Sequence, residues 1–293
     1  GVSYFSNSVF GGVKANVRKV LNYSSLAYTA EDVAAFTGFE LVTNSAYVFA
    51  SSSGSGDGMS ETSPASFEDA MKKAAEKNAS IMLLDDITLS DFSEPKHGMP
   101  VTVFARSGAS VTVSGKYTFG GKTVFDGIIL MGDGILNAVD GKAVINENCN
   151  VAGDFTIVGS ADIGIGKFES VTEAKDVQIR GGEVKSIVGA DENVLVEVFG
   201  GTVGRVRTAE KDCDVFTFTI SGGTVEELVL NNVKDSFRLN IYGGTVGKYS
   251  ASGKNARGSA VVSGDVNLGE VADITDISND CVYFVSDDGN GGG

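Results

Sequence analysis

The sequence predicts an all-β parallel β-helix, a solenoid in which each coil stacks on the one before it, and three observations carry that prediction. A short motif recurs, as Gly181-Gly182-Glu183-Val184, Gly200-Gly201-Thr202-Val203, Gly222-Gly223-Thr224-Val225 and Gly243-Gly244-Thr245-Val246, with Ser263-Gly264-Asp265-Val266 as a degenerate fifth copy. Its period of about 20 residues is that of a stacked repeat array. Each copy follows a short alternating run, and the whole chain holds 39 glycines against only 3 prolines in 293 residues. That balance excludes collagen and proline-rich disorder.

The alternating runs are Val177-Gln178-Ile179-Arg180, Val196-Glu197-Val198-Phe199, Phe218-Thr219-Ile220-Ser221 and Leu239-Asn240-Ile241-Tyr242. Period two sends successive side chains to opposite faces of a strand. Ile179, Val198, Ile220 and Ile241 therefore form an inward aliphatic column, and Gln178, Glu197, Thr219 and Asn240 an outward polar row. The paired glycines supply the corner, because glycine reaches backbone angles closed to residues with a Cβ. Leucine-rich repeats share the period, but their leucine and asparagine consensus is missing.

Upstream the repeat blurs. Val111-Thr112-Val113-Ser114-Gly115, Lys122-Thr123-Val124-Phe125-Asp126-Gly127 and Val151-Ala152-Gly153-Asp154-Phe155 read as earlier coils with single-glycine corners. The coils are expected over about residues 80 to 285, on the order of ten at ~4.8 Å each, a rod of roughly 50 Å. An open stack needs its ends covered. Ser66-Phe67-Glu68-Asp69 is a capping box, and Phe67, Ala70, Met71, Ala74 and Ala75 fall on one face with Lys72, Lys73, Glu76 and Lys77 largely opposite. This predicts a capping helix over about 66–78, laid on a first rung formed by Ser80 to Leu89.

Residues 1–44 read as an N-terminal extension with possible short helices at Val13 to Leu21 and from Thr29 toward Gly38. Residues 45–285 form the β-helix domain, and 286–293 a Gly-rich linker, Asp287-Asp288-Gly289-Asn290-Gly291-Gly292-Gly293. The linker leads to the expectation that the chain is part of a longer protein.

With 23 Lys+Arg against 38 Asp+Glu the formal charge is −15. A field of that sign repels nucleic acid and anionic lipid, so nucleic acid is not an expected partner. No segment is apolar for long enough to insert in a membrane as a helix. Cys149, Cys213 and Cys281 cannot all pair and lack metal-site spacing, which favours buried thiols over a disulfide.

Tyr47-Val48-Phe49-Ala50-Ser51, the loop Gly54-Ser55-Gly56-Asp57-Gly58, Ser63-Pro64, the helix, and the Ile81 to Leu89 strand together resemble the opening of secreted right-handed parallel β-helix proteins of the pectin-lyase-like superfamily. The later Gly-Gly-Thr-Val coils resemble those of bacterial cell-surface proteins with this fold. The resemblance spans roughly residues 45–285. It implies a right-handed coil, in line with the general rule for parallel crossovers, and extracellular or cell-surface work on glycans without choosing a reaction.

For an enzyme of this kind the expected chemistry is an acidic cluster. Pectate lyases of the superfamily hold Ca²⁺ through acids and abstract a proton with Arg or Lys, and its hydrolases use aspartates. The candidates here are Asp126, Asp133, Asp154, Asp162, Lys167 and Arg180, whose spacings follow no single rung position. Neither the paired aspartates and Gly-His-Gly of polygalacturonases nor the Arg-centred motif of pectate lyases is present. The bland reading of these acids is solvated loops.

Asp57, Asp85 and Asp86 are oxygen donors of the type a Ca²⁺ ion takes, without EF-hand spacing; no metal or other cofactor is otherwise indicated. His97, the single histidine, sits in the turn-rich Glu94-Pro95-Lys96-His97-Gly98 and reads as solvated. For binding, the candidates are Arg180, Phe199 and Tyr242, in an outward row with Ser221. Rings two coils apart stand about 10 Å from each other, a spacing that suits two sugars, and aromatic faces stack on apolar sugar faces. Packing against neighbouring outward side chains is the plainer alternative. Arg205, Glu227 and Lys248 should form a charge-alternating ladder.

The expected function is a secreted or surface-displayed bacterial module that binds a glycan or a protein partner, adhesin-like and non-catalytic. The alternatives are a polysaccharide lyase or glycoside hydrolase centred on Asp126 to Asp162, and a structural spacer.

Overall fold

Alternation of apolar and polar residues governs the chain from Tyr47 onward, and the computed structural model shows what it builds. The structure describes residues 19–21, 40–42, 47–105, 108–211, 213–231, 233–252, 257–262, 266–275 and 282–284. It is a parallel β-solenoid with one helix among the described residues.

The first side runs through Tyr47–Ala50, Ser80–Leu83, Val101–Ala105, Lys122–Asp126, the later halves of Ile135–Ile145 and Phe155–Ile163, then Asp176–Ile179, Val194–Val198, Cys213–Ile220, Val233–Ile241, Arg257–Val262 and Val282–Phe284. Every pairing is parallel. One register position threads them all, Val48, Ile81, Val103, Phe125, Ile145, Ile163, Ile179, Val198, Ile220, Ile241, Val262 and Phe284. From Val48 to Ile241 these side chains are buried. The expected column is therefore present and extends well upstream of Ile179. Gln178, Glu197, Thr219 and Asn240 share the outward register beside it, with Gln178 Nε2 donating to Glu197 at 2.8 Å and Asn240 Nδ2 to Thr219 at 3.2 Å.

A second side stacks Phe92–Ser93, Lys116–Thr118, the first halves of Ile135–Ile145 and Phe155–Ile163, then Lys167–Ala174, Glu183–Gly189, Thr202–Arg207, Thr224–Asn231, Gly244–Ser252 and Val266–Thr275. Tyr117, Leu136, Ile157, Val171, Ile187, Val206 and Leu228 are its buried column. A third side is short. It holds only Ile87–Leu89, Ser110–Val113, Ile129–Gly132 and Asn150–Ala152, a separate four-stranded sheet. The upstream segments read from sequence as equivalent coils thus lie on different sides, Val111–Val113 and Val151 on the third and Lys122–Asp126 on the first.

After Ala152 the third side vanishes, and a tight turn joins the first side to the second. Gly164-Ile165-Gly166 makes the first such turn, and the Gly-Gly pairs make the next ones. Gly166, Gly182, Gly201, Gly223 and Gly244 all carry positive φ, from 75° to 103°, a region that costs other residues about 1–3 kcal/mol. The preceding glycines are needed for closeness: a Cβ on Gly200 would stand 2.4 Å from the Arg180 carbonyl oxygen, and one on Gly222 2.4 Å from that of Phe199. Corner amides of one coil donate to corner carbonyls of the coil below, Thr202 to Gly182, Thr224 to Gly201 and Thr245 to Gly223, each at 2.9 Å.

Two expectations about the motif change. Gly164-Ile165-Gly166-Lys167-Phe168 is an unanticipated earlier copy, since Phe168 pairs with Val184 at the valine position. In the degenerate fifth copy, Val266 pairs with Gly244 and Leu268 takes the place opposite Val246. Val266 opens the strand, and an extra residue in the preceding segment shifts the register; residues 263–265 themselves lie outside the described residues.

Helix Phe67–Lys77 begins at Ser66, whose side chain accepts from Asp69 N, and ends at Asn78 with φ 55°. Phe67, Ala70, Met71 and Ala74 are buried in the solenoid core. Its placement differs from expectation: Tyr47–Ala50 pairs with Ser80–Leu83, so the helix is an excursion between the first two rungs, and Ser80 does not start the stack. A terminal position consistent with a cap results. Aromatic rings fill the wide three-sided part, with Phe67, Phe92, Tyr117 and Phe119 in sequence at centroid distances of 5.3, 5.1 and 4.8 Å.

In the N-terminal segment Lys19–Leu21 pairs in parallel with Glu40–Val42, which replaces the end of the helix expected over Val13 to Leu21 by strand. The helix expected from Thr29, Cys281 and the Gly-rich tail lie outside the described residues. Cys149 and Cys213 are free and buried, as expected.

Gly223→Ala should lower the unfolding free energy by at least about 1–3 kcal/mol, because φ is +79° and the new Cβ would stand 2.6 Å from the Gly201 oxygen. Gly98→Ala, with nothing within 4 Å of its Cβ, should leave stability unchanged. Urea unfolding of both variants tests the corner, and equal stability would refute it.

Candidate functional site

From Phe125 onward, the residue that follows each inward residue of the column leads into a corner. Down the stack these residues are Asp126, Asn146, Gly164, Arg180, Phe199, Ser221 and Tyr242, tied coil to coil by backbone bonds such as Asn146 N to Phe125 O at 3.0 Å and Gly164 N to Ile145 O at 2.7 Å. Arg180, Phe199, Ser221 and Tyr242 thus form the row expected from sequence. Phe199 is 41% exposed and Tyr242 49%.

Gly164 interrupts this row. It has no side chain, and a Cβ there would meet Glu147 N at 2.7 Å and Ile145 O at 2.8 Å. Beside this close approach lies a cavity of about 440 Å³ lined by Asp126, Ile145, Asn146, Glu147, Asn148, Asp162, Gly164 and Arg180, within the usual ~300–1,000 Å³ of small-ligand sites. It sits at the step where the third sheet ends.

The lining is polar and held in place. Asn148 Nδ2 donates to Asp126 Oδ1, while its own amide oxygen accepts from Gly127 N at 3.1 Å. Arg180 donates through Nε to Asp162 Oδ1 at 2.8 Å and through Nη2 to Asp162 Oδ2 at 3.2 Å and Gln178 Oε1 at 2.8 Å. This forked carboxylate contact raises the Arg180 pKa above its ordinary value. The Arg180 Cζ lies 5.1 Å from the centroid of Phe199, a cation–π distance. One assembly therefore joins Asp162, Arg180, Gln178, Glu197 and Phe199.

The six candidate catalytic residues separate into two groups. Asp126, Asp162 and Arg180 meet in the cavity. Asp133 and Asp154 occupy equivalent steps of successive coils, each two residues before the Ile135–Thr156 pairing, at the entrance to the second side. Lys167 belongs to that entrance too and pairs with Glu183 at 2.8 Å, which lowers the Glu183 pKa. Coil lengths differ, so only three of the six line the cavity, and Lys167 opens the second side just past the Gly164-Ile165-Gly166 turn. Lys185 pairs with Glu169 beside them. These exposed pairs are worth little individually.

Residues missed from sequence are Asn146, Glu147, Asn148, Gly164 and, as an Arg180 partner, Gln178. The signal available was positional, since Asn146 and Gly164 each follow an inward isoleucine.

The acids considered for a cation are engaged in stitching loops. Asp85 accepts from Ser51 Oγ at 2.6 Å and Ser52 N at 2.7 Å, and Asp86 from Ser110 N at 2.8 Å and Oγ at 2.9 Å. Asp57 accepts from Met59 N at 3.1 Å. Backbone donors lower the pKa of Asp57 and Asp86. Among the described residues no three His, Cys, Asp or Glu side chains are grouped to hold a metal, and no helix is long and apolar enough to cross a membrane. Arg205, Glu227 and Lys248 occupy one register position, as expected, with Arg205 paired to Glu227.

His97 overturns the solvated reading. Its side chain is 1% exposed and that of Glu94 0%, and the two meet at 3.0 Å. Glu94 also accepts from Tyr117 Oη at 2.7 Å, Gly120 N at 2.9 Å and Thr123 Oγ1 at 2.9 Å. The other ring nitrogen, Nδ1, lies 2.8 Å from Met99 O. Both neighbours offer acceptors, an arrangement that favours the doubly protonated ring, and its pKa is raised by the Glu94 hydrogen bond first of all. The loop folds inward because this buried carboxylate gathers donors from several segments.

Compared with models of protein families, with curated proteins and with solved structures, the chain matches none. The fold and site define its class: a parallel β-solenoid with an open polar cavity at one corner.

Because folding raises the His97 pKa, its contribution to stability is full below the unfolded value of 6.5 and is lost as pH rises through the folded value. Urea unfolding across the histidine titration should show that loss in the parent and not in His97→Gln. The same pH dependence in both proteins would refute the imidazolium–carboxylate pair.

Proposed function

We propose that this chain is a secreted or cell-surface module, of the pectin-lyase-like kind and of bacterial origin, that binds a glycan along its glycine corner without cleaving it. The observation that carries this reading is the company kept by the cavity: two amide side chains, carboxylates and a guanidinium open toward solvent, with the exposed Phe199 ring beside them. Sugar recognition uses that combination, hydrogen bonds to hydroxyls and an aromatic plane under the apolar ring face. Tyr242, two coils further along, extends the row by about 10 Å.

A second reading, polysaccharide lyase or glycoside hydrolase, is favoured by Asp126 and Asp162 lining one cavity. Both carboxylates are committed, Asp126 to Asn148 and Asp162 to both donors of Arg180, which supports binding over proton transfer.

The test is to incubate the chain with plant, host and bacterial polysaccharides, with and without Ca²⁺, and score retention and released fragments together. Retention without fragments is expected. Phe199→Ala should weaken it about 2- to 12-fold, the equivalent of ~0.5–1.5 kcal/mol of ring stacking, with an unchanged circular dichroism spectrum. Fragments lost in Asp126→Asn or Asp162→Asn would establish the enzyme instead, and neither retention nor fragments would leave a structural spacer.

A further inference from the structure

The charges around the cavity select the class of sugar. Among the described residues Arg180 is its single lining cation, and that charge is already balanced by the forked contact to Asp162. It also donates to Gln178 and lies over the Phe199 ring. Asp126 and Glu147 have no such balance. The partner of Asp126 is the neutral amide of Asn148, and among the described residues no cation pairs with either acid.

We infer that the corner cavity takes an amine-bearing saccharide chain, an ammonium group held between Asp126 and Glu147 and the chain running along the corner row toward Phe199. This rests on the glycan-binding reading above and adds to it the sign of the ligand's charge. A uronate would bring a carboxylate to two uncompensated acids and find no free cation among the described lining residues. An ammonium group supplies up to three donors and meets acceptors at the cavity wall. The geometry also orients the ligand along the solenoid axis, because Asp126, Asn146, Gly164, Arg180 and Phe199 lie on successive coils of one corner row.

The overall charge of −15 attracts any cationic oligomer, so the experiment separates site from field. Calorimetric titration compares glucosamine, N-acetylglucosamine and galacturonate oligomers of equal length on the parent chain and on two charge-matched variants. One is Asp126→Asn/Glu147→Gln in the cavity. The other is Glu76→Gln/Glu226→Gln, on exposed positions elsewhere.

The expected result is tightest binding of the glucosamine oligomer, weakened about 5- to 10-fold by the cavity variant, as two exposed charge pairs predict, and much less by the distant one. Equal weakening by both variants would overturn the inference, as would equal or tighter binding of the galacturonate oligomer, while glycan binding itself would stand. Binding of none of the three, with no retention in the wider panel, would overturn the glycan reading as well.

Discussion

The structure depends on how closely one corner can approach the corner beneath it. Each Gly-Gly turn lies so near the preceding one that a Cβ would press into its carbonyl, and the amide after the pair donates to a corner oxygen of the coil below. This contact fixes the heights of the first and second sides together. Once both strands of a coil start level, their inward aliphatics stack in register, and the hydrophobic gain of a continuous core follows. A larger residue at either glycine would lift the corner and tilt both strands out of register.

The same constraint places the candidate site. While the solenoid has three sides, the corner leads into another strand; when the third sheet ends at Asn150–Ala152, the chain must turn back at once. The first turn to do so, Gly164-Ile165-Gly166, sets Gly164 directly against the backbone of the coil below, and the cavity lies beside it. The candidate site thus lies where the cross-section changes and regular stacking leaves a step. The Asp162–Arg180 pair closes one wall with forked geometry, better suited to holding shape than to adding much stability at an exposed surface.

The wide end is fastened differently. There is more interior to fill than aliphatics alone supply, so aromatic rings occupy it, and a buried carboxylate, Glu94, ties the Pro95 to Met99 loop to the second side and to the strand of Thr123. A buried charge is tolerable only when paired and hydrogen-bonded. Glu94 meets that condition with four donors, one of them the His97 ring.

Much of this fold was legible because its causes are local. Period-two alternation fixes which residues face inward, a glycine pair marks where the chain can turn tightly, and Ser66 with Asp69 marks a helix start; the inward column, outward polar row, charge ladder and helix follow from neighbours in sequence. The site was legible only in part. Asp126, Asp162 and Arg180 could be named as chemically apt, but not separated from Asp133, Asp154 and Lys167, nor joined to Asn146, Glu147 and Asn148. Coil length decides that, since register partners such as Phe125 and Ile145 or Ile163 and Ile179 are unequally spaced along the chain. The burial of His97 was equally hidden, because its environment is assembled from a distant tyrosine, threonine and backbone amide. Local backbone preferences determined the architecture from the sequence alone. Which side chains meet was decided by the accumulated lengths of whole coils, a quantity that exists only once the coils are stacked.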